Sequence, residues 1–193
     1  MQVEQAQADV RRVHRGGFSG PLVSAVIWFA AAATYQWGSP GAAMTVLFLG
    51  GILIFPLTVL VLKIMGGPAG LPKGHPSTSL AIQSAATVPL GLLVAIHLGA
   101  LAPTLFFPAA LILVGAHYLT FISLYGMPLY GALAGALVAI GAVALFAFPE
   151  LREISGWIGA ATLLVFSLPL YLSYRASSAR EENLSASDSV DAQ

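Results

Sequence analysis

Six apolar runs occupy positions 18–37, 42–65, 80–100, 103–125, 129–148 and 156–174, and none carries Asp, Glu, Lys or Arg near its middle. That feature restricts the fold more than any other. About 20 residues at about 1.5 Å each make a helix of about 30 Å, the thickness of a bilayer core. Only 8% of the residues are charged and the mean hydropathy is +0.85. A soluble domain carries roughly 25% charged residues, so this chain cannot cover a water-facing surface. The expectation is an all-α integral membrane bundle of six transmembrane helices.

The breakers between the runs agree. Gly38-Ser39-Pro40-Gly41 and Gly126-Met127-Pro128 are turns, and Pro149 to Ser155 is a short charged loop. Gly66 to Ser79 is the longest internal loop, and Ser77, Thr78 or Ser79 can cap the helix after it. Its glycines and Lys73 lack the Walker spacing and a preceding strand, so it does not read as a phosphate loop.

Residues 1–17 form a polar segment in which Val3, Ala6, Val10 and Val13 are spaced like one helix face. It reads as a solvated lead-in, with an interfacial helix held by anionic lipid as the alternative. Ala31-Ala32-Ala33 resembles a signal-peptide cleavage region, but the run to Trp37 is long enough for an uncleaved first span. Residues 175–193 are rich in Ser, Glu and Asp and predict a disordered tail.

With an even number of spans, Arg11, Arg12, Arg15, Lys63, Lys73, Arg175 and Arg180 fall on one side and Arg152 alone on the other. The positive-inside rule then places both termini in the cytoplasm. No internal repeat supports an inverted-repeat transporter. The dispersed basic residues argue against nucleic acid as a partner. With no cysteine there is no disulfide or thiolate site.

Polarity inside the spans gathers on the third and fourth. Gln83, Ser84, Thr87, Pro89 and His97 lie on one, and His117, Thr120 and Tyr125 on the other. Counting from the turn, His97 lies about 6 Å deep and His117 about 21 Å deep. That separation excludes shared metal ligation at about 2 Å, and no Asp or Glu completes a triad. No metal, cofactor or catalytic residue is assigned. Antiparallel pairing sets Thr87 at nearly the depth of His117, and Ser84 near Thr120. Pro89 frees the carbonyl of Ala85. Pro56, Pro89 and Pro169 all lie in the same half of their spans as this polarity.

Two functional classes follow. One is binding or passage of a small neutral or amphipathic molecule, or a lipid, in a cavity lined by Gln83, Thr87, His117, Thr120 and Tyr125. The other is a scaffold or accessory subunit without substrate, in which His117 joins two helices through Thr87 or a freed carbonyl. An intramembrane enzyme using His117 lacks a second catalytic group. Gly131, Gly135 and Ala139 form a small-residue ridge, with Gly16 to Gly20 at the same spacing. The ridge suits either close packing within the bundle or a homo-oligomer contact. Trp157, Phe106, Phe107, Phe146 and Phe148 read as aromatic markers of the outer interface.

Phe55-Pro56-Leu57 running to Lys63-Ile64, Gly115-Ala116-His117-Tyr118-Leu119 and Ser123-Leu124-Tyr125 together resemble a family of small bacterial multi-pass membrane proteins of unknown function. The resemblance covers about Val3 to Phe148. Members carry an Asn-Pro-Leu element before the third span, where this chain has His75-Pro76-Ser77. The resemblance implies a bacterial cell (inner) membrane and supplies no activity, cofactor or site residue.

Overall fold

The computed structural model describes residues 2–68 and 70–191, with side chains described as far as residue 179. Every regular element among them is helical. Helix α1 (Val3–His14) is followed by α2 (Ser19–Trp37), α3 (Pro40–Ile64), α4 (Ser77–Leu101), α5 (Phe106–Tyr125), α6 (Leu129–Ala142) and α7 (Ser155–Asp191). Helices α2 to α7, with short 3-10 and π extensions, are the six that are long and apolar enough to cross a membrane.

Local chemistry sets the boundaries. Ser39 accepts the Ala42 amide at 3.2 Å and Pro40 occupies the first turn, so α3 starts two residues earlier than the apolar run. None of Ser77, Thr78 and Ser79 caps α4. The Nδ1 atom of His75 accepts the Ser77 amide at 3.2 Å instead. Pro56, Pro89 and Pro169 all lie inside continuous helices, which neighbouring helices make tolerable at membrane depth. The end of α6 passes into a π turn, Val143–Ala147. Arg152 donates to the carbonyls of Ala144 (3.1 Å) and Leu145 (2.7 Å) and satisfies them.

Helix α7 runs on through the segment that composition reads as a disordered tail. An existing helix extends without a new nucleation cost, and Ala176, Ala179, Arg180 and Glu181 are helix-compatible. The last two residues of that tail lie outside the described residues.

The spans form a ring in the order α3, α2, α7, α6, α5, α4, closed by a thin contact between α3 and α4. Trp28, Phe106, Phe107, Leu111 and Leu163 fill its centre. Phe106 and Phe107 are therefore core residues and not interface markers. The first turn of α5 points them inward, where Phe107 meets Trp28 at 5.8 Å. Phe146 and Phe148 are exposed, and Trp157 donates to Gln36 at 2.9 Å near Trp37. Helices α3 and α4 expose Phe55, Leu60, Ile82 and Leu90, apolar surface of a kind that lipid covers.

A backbone-to-backbone approach of two helices does not use the predicted ridge. A Cβ on Gly115 would meet the Val138 amide at 2.9 Å, and one on Gly141 the Pro108 carbonyl at 2.6 Å, so α5 and α6 touch through backbone. Gly131 packs under Ile122, while Gly135 and Ala139 face outward. Gly16 abuts Tyr174 of the same chain.

The N-terminal segment is not a solvated lead-in. Helix α1 buries Ala6, Val10 and Val13 against the end of the bundle. Gln7 donates to the Ser123 carbonyl at 2.8 Å, Arg11 to that of Tyr125 at 2.6 Å and Arg15 to that of Met65 at 2.7 Å. These acceptors lie at or beyond helix ends, where carbonyls lack helical partners. A break at Arg15-Gly16-Gly17, with φ of 49°, 70° and 74°, turns the chain from α1 into α2.

Candidate functional site

The polar residues of α4 and α5 meet around Ser84, which is 1% exposed. Its Oγ lies 2.9 Å from Nδ1 of His117 and also contacts Oγ1 of Thr120. Thr120 donates to the His117 carbonyl at 2.7 Å. Thr87 turns back to the Ser84 carbonyl at 2.7 Å and does not reach His117.

The positions of the protons follow from the one hydrogen that a serine or threonine hydroxyl carries. That of Thr120 goes to the His117 carbonyl, so Thr120 accepts from Ser84. Ser84 has then given its own hydrogen and accepts from Nδ1–H of His117. In the neutral imidazole this leaves Nε2 as a bare acceptor. Among the described residues the ring of His117 makes a hydrogen bond through Nδ1 and none through Nε2.

The structure thus brings together His117 and Thr120 from the five sequence-predicted residues and adds Ser84. Gln83 and Thr87 lie beside them on an exposed flank of α4, in the same arc as exposed His97. Two causes shift the pairing from Thr87 to Ser84. The turn Pro103–Leu105 is 3-10 helix, whose longer rise moves α5 about 1.5 Å further along. Ser84 also faces α5 directly, whereas Thr87 lies about 60° away around its helix.

Tyr125 does not line the same space. It is buried in an aromatic hub with Phe121 (5.6 Å) and Tyr130 (5.0 Å), beneath Gly17. The hub reaches His117 through Phe121, edge-on at 4.8 Å. At the other side His14 of α1 sits 6.5 Å from Tyr125, and Tyr130 donates to the Gly16 carbonyl at 2.9 Å. Burial lowers the pKa of His14 below its ordinary value.

A second histidine was not readable as buried from the sequence. The His75 side chain is 1% exposed, in a loop of Gly and Pro. Its Nδ1 accepts from Ser77, so Nε2 carries the proton of the neutral ring and faces Oδ2 of Asp9 at 3.6 Å. Asp9 also pairs with Arg12 at 2.8 Å. This contact ties the loop to α1. Among the described residues no group of three His, Cys, Asp or Glu side chains could hold a metal ion.

The helical ring and its intramembrane hydrogen-bond cluster define a multi-pass membrane protein. The chain belongs to DUF7010, a family of unknown function whose profile matches residues 3–173. The match extends past Phe148, through the sixth span. No curated protein and no solved structure matches the chain.

Proposed function

We propose that this protein binds a small neutral or amphipathic molecule from the membrane at the α4–α5 contact, with His117 as the polar anchor. One observation carries the reading. The Ser84–Thr120–His117 proton order leaves Nε2 as an acceptor at membrane depth. A partner with a hydroxyl or N–H group suits it, and exposed Gln83 and Thr87 extend the polar surface alongside. The spans carry no central charge to balance an ionic ligand. Binding is favoured over passage because these hydrogen-bonded side chains lie in one half of the spans.

The test is mass spectrometry of the organic extract of the purified protein. Wild type should retain a lipophilic compound that His117→Ala and Ser84→Ala lose, while both variants remain folded by circular dichroism. Identical extracts from all three would remove the binding reading. The scaffold reading then stands on the outward face of Gly135 and Ala139, which suits close approach of a second copy or another helix.

The basic residues support cytoplasmic termini. The Arg15–Met65 contact supports grouping the N-terminus with the loop that holds Lys73. The resemblance to bacterial multi-pass proteins favours the bacterial cell membrane.

A further inference from the structure

Where α7 leaves the apolar zone, an open groove of about 440 Å³ lies beside the break between α1 and α2. Arg15, Tyr171, Tyr174, Arg175, Ser178 and Ala179 line it. Residues bearing two guanidinium groups and three hydroxyls thus line one groove, and none of its described lining residues is acidic.

Arg15 is held there by backbone geometry. It is the one non-glycine residue with positive φ among the described residues, at 49°, and a residue kept in this region needs its surroundings to hold it. A Cβ on Gly16 would meet Cβ of Tyr174 at 2.8 Å, so the break is pressed directly onto α7. One nitrogen of Arg15 is fixed on the Met65 carbonyl, and its others make no hydrogen bond among the described residues. Arg175 is exposed and lines the same groove from α7.

We infer that this open groove is a binding site for a phosphate-bearing anion, with the headgroup of an anionic phospholipid as its source. Arginine matches the geometry of phosphate oxygens with paired N–H donors. Tyr174 and Ser178 add neutral donors. The position at the end of a span sets the groove at headgroup level, with exposed Leu168 and Leu172 of α7 beside it for acyl chains. This site is independent of the one at His117.

Native mass spectrometry of the delipidated full-length protein tests the assignment. The protein is offered phosphatidylglycerol, phosphatidylcholine or inorganic phosphate separately. Phosphatidylglycerol should bind in preference to phosphatidylcholine. Arg175→Gln should weaken it about five-fold, the effect of one basic residue near a lipid surface. The double variant Arg15→Gln/Arg175→Gln should weaken it further, and Arg152→Gln, at the other end, should leave it unchanged. Inorganic phosphate binding lost in Arg175→Gln, without phosphatidylglycerol preference, would keep the phosphate chemistry and overturn the lipid source. Equal phosphatidylglycerol occupancy in wild type, Arg175→Gln and the double variant overturns the site. Arg175 is exposed, so its substitution reads binding without unfolding the bundle.

Discussion

At the level of single residues, the three histidines placed by the fold have different partners and different consequences. His117 bridges α4 and α5 through Ser84. Such a bond stabilises a membrane bundle by only about 0.6 kcal/mol, so the cluster orients groups more than it holds the fold. His75 replaces a serine or threonine cap at the start of α4. His14 is the one from which a pH dependence follows. Burial lowers its pKa from 6.5, so the undocked segment takes up a proton before the docked one does. Docking of α1 is therefore at full strength above about pH 6.5 and weakens as pH falls below it. Amide exchange of residues 3–14 should be faster at about pH 5.5 than at about pH 7.5 after correction for intrinsic rates. Equal corrected protection at both would discard the effect.

At the level of elements, α1 and the break that follows it matter most. The amphipathic spacing of Val3, Ala6, Val10 and Val13 was legible in the sequence, but its docking partner was not. The carbonyls that receive Gln7 and Arg11 belong to backbone more than a hundred positions away, and a backbone carbonyl leaves no trace in residue type. Gly17 makes the geometry possible. Its φ is +74°, and a Cβ there would collide with the Tyr130 hydroxyl and lie 2.6 Å from Cζ of Tyr125. Gly17→Ala should release α1 and cost more than the roughly 1–2 kcal/mol of a left-handed non-glycine residue. Limited proteolysis should then cut within residues 3–14 while the spans stay intact. A variant as resistant as wild type would show that the break tolerates a side chain. The 3-10 turn before α5 had a similarly distant effect. Together with the facing of Ser84 toward α5, its offset of about 1.5 Å moved the partner of His117 from Thr87 to Ser84, and an offset of that size is smaller than depth counting can resolve.

At the level of the whole molecule, the ring of six spans leaves α3 and α4 most exposed and α2 and α5 most enclosed. The orientation proposed for it makes a direct prediction. Single cysteines placed at Lys73 and Arg152 of this cysteine-free chain should react oppositely with an impermeant thiol reagent in intact cells. The Arg152→Cys variant should label and the Lys73→Cys variant should not. The reverse pattern would invert the topology. The sequence by itself determined the class of fold, the six spans and their turns, because crossing a bilayer is set by apolar length and breakers along the chain. It also marked α4 and α5 as the polar pair, because a histidine amid apolar residues is visible without coordinates. Only the tertiary structure decided that Ser84 is the partner of His117 and that Phe106 and Phe107 are core. It likewise decided that α1 covers one end of the bundle and that Gly115 and Gly141 let α5 and α6 touch through backbone. Those outcomes depend on the rotation and offset of one helix against another. Lipid tails are as apolar as the helix faces, so hydrophobicity alone cannot choose among rotations. Shape, small residues and a few hydrogen bonds make that choice, and they act only once the helices are together.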